Sequence, residues 1–218
     1  MSRSYEWKQF DNIGCILYKF TDEELAPLRK EVAEIQADFT KAETWNHQLA
    51  GHIKHEYAII KSKDHVEKLV KPLAKHFSDQ FKYYSDFNIM SKKMTERKLI
   101  LDNLWVNYQK KHEFNPVHSH HGVLSFVIWL QMPFSFEAES NYFKTTIKSD
   151  NERTSTFNFY YTNSLGDIMN TPIPADKTYE NTICIIPARM KHAVYPFYTS
   201  DDYRISVSGN FHIDPMQS

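Results

Sequence analysis

The segment Asn115-Pro116-Val117-His118-Ser119-His120-His121-Gly122 runs directly into the apolar stretch Val123-Leu124-Ser125-Phe126-Val127-Ile128-Trp129-Leu130. The second part, extended to Met132, is nearly continuous in apolar residues, as expected for a buried strand. Pro116 and Gly122 bracket the first part, which places a strand edge there, at the mouth of a cavity. Alternate residues of an extended chain share a face. His118 and His120 can therefore aim two imidazoles at one point, while His121 faces the other way.

Downstream of about residue 97 the pattern is one of short strands. They are read at Leu99–Gln109, Val123–Met132, the alternating Phe134-Ser135-Phe136-Glu137, Thr154–Tyr161, Thr182–Ile186, Ala193–Phe197 and Tyr203–Ile213. Short strands at regular spacing with turn signals between them predict a β-sandwich or barrel-like fold. Upstream the spacing is helical, after an early strand at Gly14–Phe20. Thr21-Asp22-Glu23-Glu24 reads as a capping box. Leu25, Leu28, Val32, Ile35 and Phe39 then recur at three- and four-residue intervals. A second helix is expected from near Asp64 to about Tyr84, with Val66, Leu69, Val70, Leu73, Phe77 and Phe81 on one side. The fold class is thus α+β, mainly β. One domain is expected over 1–218, with 1–96 a mainly helical support and 97–218 the all-β core.

Composition narrows the function classes. A chain of 218 residues with 41% hydrophobic and 15% aromatic content can bury one good core and is no disordered tail. With 26 basic and 27 acidic side chains it has no global positive field to attract nucleic acid, which is disfavoured as a partner. Only five glycines argue against a glycine-rich phosphate loop. Two cysteines, Cys15 and Cys184, make no disulfide scaffold and fit a reducing cytoplasm. The N-terminal residues lack a signal-peptide h-region, and no run approaches the roughly 18 apolar residues of a membrane span. Histidine is the exception: four of eleven, His112, His118, His120 and His121, fall within one short stretch. Imidazole is the commonest metal ligand and a usual acid–base group.

A metal site needs a third donor, and His192 is the best candidate, provided the fold closes the separation from His120. A closed structural zinc site is disfavoured, because no cysteine pair accompanies the histidines. His112 and His121 are read as non-ligands, and Trp105 and Phe126 as core. For His192 alone, the competing reading is an ordinary hydrogen-bonded core histidine.

Several elements occur in an order that is similar to the 2-oxoglutarate/Fe(II)-dependent oxygenases of the phage and bacterial type. They are the strand Leu104-Trp105-Val106-Asn107-Tyr108, the N-x-x-H-x-H segment Asn115–His120, and the strand beginning Leu124-Ser125. Ile185-Ile186-Pro187 ahead of His192 follows, then Tyr203-Arg204-Ile205-Ser206-Val207-Ser208-Gly209-Asn210. The resemblance covers roughly residues 97 to 213. It implies a double-stranded β-helix core, jelly-roll and cupin-like, with the N-terminal helices as supports. It implies Fe(II) on His118, His120 and His192, and 2-oxoglutarate as cosubstrate with O2. Arg204 would hold the far carboxylate of the cosubstrate, which suits the planar guanidinium fork. Ser206 on the same face would assist, and Tyr108 is a further candidate for a hydrogen bond to it. Thr199-Ser200-Asp201-Asp202 reads as a turn, putting His192 and Arg204 on successive strands of one hairpin. A surface ion pair of Arg204 with Asp201 or Asp202 competes with that role. The commonest triad is two His and one carboxylate; here the second position is His120, and nothing in the sequence places Glu137 as a substitute.

The implied activity is hydroxylation of a protein side chain, a prolyl residue first, or of a small molecule, with release of succinate and CO2. The implied setting is the cytoplasm, including that of a bacterial host if the chain is phage-encoded. Two other readings use the same residues: a cupin-type metalloenzyme that needs no 2-oxoglutarate, and a non-catalytic, metal-stabilised binding module.

Overall fold

The computed structural model describes residues 12–81, 99–148 and 154–213. Helix α1 (Asp22–Ala37) begins at the expected capping box: Thr21 Oγ1 accepts from the Glu24 N–H at 3.2 Å, and Glu24 Oε2 accepts from the Thr21 N–H at 2.8 Å. Its buried stripe is Leu25, Leu28, Val32 and Ile35. Helix α2 (Lys63–Phe81) buries Val66, Val70, Ala74 and Phe77. Its expected extension to Tyr84 lies outside the described residues.

Among the described residues, ten strands form two antiparallel sheets. They are β1 (Ile16–Lys19), β2 (His55–Ala58), β3 (Leu99–Gln109), β4 (Asn115–His118), β5 (Leu124–Gln131), β6 (Phe157–Thr162), β7 (Ile168–Ile173), β8 (Thr182–Pro187), β9 (Lys191–Val194) and β10 (Arg204–Ile213). The larger sheet has the order β1-β8-β5-β10-β3-β2 and the smaller one β4-β9-β6-β7. From β3 onward the chain passes repeatedly between the two sheets. This is the double-stranded β-helix expected from the sequence.

Two apolar layers explain the strand patterns. Leu104, Val106 and Tyr108 of β3, Leu124 and Ile128 of β5, Ile183 and Ile185 of β8, and Ile205 and Val207 of β10 pack with α1 and α2 on one face of the larger sheet. Val127, Trp129, Cys184 and Ile186 pack from its other face against Phe157, Phe159 and Ile173 of the smaller sheet. A strand covered on both sides cannot alternate polar and apolar residues, so β5 reads as continuous. Each fully buried side chain of this kind contributes on the order of 1.5–3 kcal/mol. Gly209 of β10 has a packing reason: a Cβ there would lie 2.6 Å from the Phe126 ring and 2.9 Å from the Asn103 carbonyl oxygen.

The structure departs from the sequence reading at four places. Phe134–Glu137 is not a strand. Ser135 caps a short helix, α3 (Phe136–Tyr142), by accepting from the Ala138 N–H, and Glu137 and Glu139 fill its first turn. His192 and Arg204 do not share a hairpin, because β9 lies in the smaller sheet and β10 in the larger. Strands β2 and β7 have no counterpart among the expected ones. Each lies at a sheet edge, and β7 carries Pro172 and is largely exposed, so neither has a strong apolar pattern.

A buried carboxylate ties the helices together. Glu31 of α1 is 5% exposed and accepts from the N–H groups of Ile60, Lys61 and Ser62 and from Ser62 Oγ, at 2.6–2.9 Å. Burial by itself would raise its pKa; the four hydrogen bonds outweigh that and hold it below the usual carboxylate value. Glu31→Gln should lower stability by about 2 kcal/mol and Tm by roughly 4–8 °C at neutral pH. The difference from the parent is complete above the ordinary carboxylate pKa. It shrinks as pH falls through the lowered Glu31 value, and thermal melts across the acid range measure it.

Candidate metal centre

His118 ends β4, and His192 lies opposite it on β9 as its cross-strand partner. His120 follows in the loop, where its N–H donates to the Ala188 carbonyl at 2.8 Å, and the Ala188 N–H donates to the Val123 carbonyl. These ties hold the loop against the turn that precedes His192. The 72-residue separation in sequence is thereby closed: one ring nitrogen from each of His118, His120 and His192 lies within 4.8 Å of the others. Among the described residues no carboxylate joins the group, Glu137 included. His121 is exposed. His112 packs edge-on against Tyr198.

The imidazoles suit a metal chemically. His118 Nδ1 lies 2.7 Å from the Pro116 carbonyl and His192 Nδ1 lies 2.9 Å from the Met190 carbonyl. A carbonyl only accepts, so each Nδ1 carries the proton and each Nε2 keeps its lone pair. Burial, together with neighbouring positive charge, holds all three rings neutral. It lowers His118, pushes His120 down to about 3, and depresses His192 well below the ordinary value. His120 Nε2 and His192 Nε2 are 3.2 Å apart. Two nitrogens each about 2.1 Å from one ion would be separated by about 3 Å or slightly more, so the pair fits one first-row metal. Phe157 stacks on His192 and Trp105 lies against His120, their ring centroids at 5.1 and 5.6 Å, walling the cluster with aromatic surface.

Arg204, at the start of β10, is 2% exposed and lines the same cavity as the three histidines. Among the described residues it forms no ion pair: Asp201 binds Lys111 instead, at 2.7 Å. Arg204 Nη1 reaches only the carbonyls of Ser155 and Tyr195, at 3.4 and 3.5 Å. Glu139 is the carboxylate whose charge it feels, but Glu139 is engaged by the N–H groups of Tyr198 and Thr199 and by the Thr199 hydroxyl. Burial brings the Arg204 pKa down to about 10, partly offset by Glu139. A buried guanidinium without a paired carboxylate is costly and is an anion site in waiting. Ser206, two residues on, lines the same cavity.

Tyr108 is not in the site. Its ring belongs to the helix-side layer, and its hydroxyl donates to the Val32 carbonyl at 2.6 Å. Asn107 and Gln109, its neighbours on β3, point to the cavity instead. They were not singled out in the sequence, although their pairing supplies a signal. Gln109 lies opposite Arg204 and Asn107 opposite Ser206, so an inward Arg-x-Ser implies inward partners. Trp105 is buried core, as expected, but also lines the cavity. Asn107 Oδ1, Asn115 Oδ1 and Trp129 Nε1 are buried around the cavity without hydrogen-bond partners, as in a site shaped for a polar ligand.

Fe(II) at about a hundred times its dissociation constant should raise Tm by roughly 5–11 °C. His192→Ala should abolish that rise, whereas Tyr108→Phe should retain it. Thermal melts with and without metal under anaerobic conditions decide the point.

Residues 103–210 match the family model described as "Putative 2OG-Fe(II) oxygenase". No curated protein matches the sequence. Among solved structures, the chain is similar to AviO1 from Streptomyces viridochromogenes, with a TM-score of 0.57 at 10% identity, covering 94% of this chain and 91% of that one. It is similar to a Pseudomonas putida prolyl-4-hydroxylase, with a TM-score of 0.51 at 10% identity and coverage of 91% and 92%. It is also similar to SnoN, a non-heme alpha-ketoglutarate-dependent epimerase from nogalamycin biosynthesis, with a TM-score of 0.55 at 14% identity and coverage of 91% and 77%. At these identities the structural likenesses establish the fold, and the family match over the β core carries the assignment. Through residues 103–210 this chain belongs to the 2-oxoglutarate- and Fe(II)-dependent oxygenases, a family of oxidoreductases.

Proposed function

We propose that the protein is a 2-oxoglutarate-dependent hydroxylase in which His118, His120 and His192 hold Fe(II) and Arg204 holds the far carboxylate of the cosubstrate. The observation that carries this reading is the buried Arg204, without a paired carboxylate among the described residues, opening on the same cavity as three convergent neutral imidazoles. An ion held by histidines does not by itself call for an enclosed guanidinium beside it. A dicarboxylate cosubstrate needs both.

The protein's residues bind, orient and exclude water. Pro116 and Met190 fix the tautomers of His118 and His192, so their Nε2 lone pairs would be free to hold the ion. Arg204 supplies the charge and Ser206 the neutral hydrogen bond for one end of 2-oxoglutarate, leaving the keto-acid end for the metal. Trp105, Phe157, Leu49 and Ile53 line the cavity and keep its dielectric low. When bound, Fe(II) and 2-oxoglutarate supply the oxygen chemistry, coupling decarboxylation to succinate and CO2 with hydroxylation of a C–H bond. Three neutral ligands leave the charge of the ion uncompensated, so the anionic cosubstrate is expected to strengthen metal binding, and metal to strengthen cosubstrate binding, by the same factor.

The proposed substrate is a protein side chain, a prolyl residue first, or a small molecule. The Pseudomonas prolyl-4-hydroxylase gives a precedent for prolyl hydroxylation on this fold. Residues 1–218 are proposed to act as one domain, because the helices share a single apolar layer with the β core. Among the described residues no helix is long and apolar enough to cross a membrane. The proposed setting is the cytoplasm, where free Cys15 and Cys184 would stay reduced.

Arg204→Met should weaken 2-oxoglutarate binding by about a hundredfold while leaving the Fe(II)-dependent rise in Tm in place. Calorimetry of the anaerobic Fe(II) protein and mass spectrometry for succinate with a substrate gain of one oxygen are the measurements. An Arg204→Met protein that still binds and decarboxylates 2-oxoglutarate normally would refute the assignment.

A further inference from the structure

Glu56 of β2 is 1% exposed, has no cation partner among the described residues, and is absent from the proposed chemistry. It lies directly across from Asn107 on β3, and Asn107 lies directly across from Ser206 on β10. Paired residues of adjacent strands project to the same side with Cβ atoms about 5 Å apart. Glu56, Asn107 and Ser206 therefore form a lateral polar row that leads from the edge of the larger sheet to the cavity beside Arg204.

The hydrogen bonding along this row is incomplete in an informative way. Asn46 Nδ2 donates to Glu56 Oε2 at 3.3 Å, and Asn107 Nδ2 lies 3.4 Å from Ser206 Oγ. Glu56 Oε1 and Asn107 Oδ1 are both buried, and among the described residues both lack a partner. They are acceptors on neighbouring strands, on the same face. One proton on Glu56 Oε1, donated to Asn107 Oδ1, satisfies both. Asn107 then donates to Ser206 Oγ, and the Ser206 hydroxyl is left to donate its own proton into the cavity.

We propose that Glu56, acting through Asn107, is a positioning residue that orients the Ser206 hydroxyl as a donor to the carboxylate bound at Arg204. The inference rests on the Arg204 reading of the cosubstrate site. Loss of the Glu56 proton turns the Asn107 amide, whose Nδ2 then faces the carboxylate of Glu56. Asn107 Oδ1 then takes the Ser206 proton, and Ser206 presents a lone pair to an anion. The cavity thus grips a carboxylate while Glu56 is protonated and loosens when it ionises.

The surroundings favour the protonated form. Burial is the main cause and the charge of Glu113 the second; together they raise the Glu56 pKa to about 8. Glu113 belongs to the connection between β3 and β4, where its carboxylate also accepts from the Lys54 and Lys110 N–H groups. Asn46, which faces Glu56 from the preceding turn, is neutral. On β2 itself His55 and Tyr57 alternate to the other face, where both stack on Phe39. The neighbours along the row, Asn107 and Ser206, do not titrate.

The experiment is calorimetric binding of 2-oxoglutarate to the anaerobic Fe(II) protein at pH about 6.5 and about 9, on either side of the Glu56 transition. The parent should lose about tenfold in affinity between these values, the share of one hydrogen bond to a charged group. Glu56→Gln, whose amide donates to Asn107 Oδ1 at every pH, should keep the high affinity and lose the pH dependence. Ser206→Ala should bind weakly and without pH dependence. A second readout needs no cosubstrate. The folded-state pKa of Glu56 lies above its unfolded value, so its contribution to stability is complete below the ordinary carboxylate pKa and is lost as pH rises to about 8. Glu56→Gln should remove that loss from the denaturant melts. Parent affinity that is flat across this range, or Glu56→Gln retaining the dependence, would overturn the inference alone. Absence of 2-oxoglutarate binding at either pH would overturn the Arg204 reading and this inference with it.

Discussion

The antiparallel pairing of β10 between β3 and β5 is the constraint on which the rest depends. It runs from Arg204 opposite Gln109 to Ile213 opposite Leu99, with β5 paired on the other side. Because successive residues of a strand face opposite ways, this register sorts every side chain of β3 and β10 between two environments. Ile205, Val207, Val106 and Tyr108 go to the helix layer, and Arg204, Ser206, Asn107 and Gln109 go to the cavity. A slip of one residue would exchange the two sets. It would put a guanidinium into the contact with α1 and α2 and an isoleucine where the anion site stands.

The centre built on this frame balances its charges with an ion and a ligand. Among the described residues, three neutral imidazoles converge without a carboxylate, and a guanidinium is buried with no carboxylate in direct contact, only the charge of Glu139 acting on it. The guanidinium is costly in the unliganded protein, since desolvating a charge costs more than an isolated pair of carbonyl contacts returns. A dicarboxylate relieves that cost. The same economy applies to Glu56, which avoids the cost of a buried charge by keeping its proton.

How much of this was legible from residues alone follows the range of the interactions. The capping box at Thr21 and Glu24 is a three-residue pattern and forms as read. So do the apolar runs of β5 and β8, because burial on both faces leaves a local mark. The Phe134–Glu137 segment alternates like a strand, but a serine cap followed by acidic residues is also a helix start, and the hydrogen bond of the Phe136 N–H to Asp176 favours that outcome. Tyr108 does not face the cavity because the register against β10 turns Asn107 and Gln109 toward Arg204 and Ser206, and that pairing is not written in β3 alone. The hairpin expected for His192 and Arg204 failed for a related reason: a turn signal marks a change of direction, not which sheet the chain enters next.

The sequence by itself determined the type of the main helices and of the buried strands, the convergence of His118 and His120 through their spacing, and the residue chemistry available for a metal and an anion. Those properties are set by covalent geometry and by local patterns of polarity. Only the tertiary structure decided that His192 completes the cluster, that Arg204 is buried beside it without a carboxylate, and that Glu56, Asn107 and Ser206 fall into one row. Each of these depends on strand register between segments far apart in the chain, and register is chosen by the simultaneous burial of both apolar layers, which no single segment encodes.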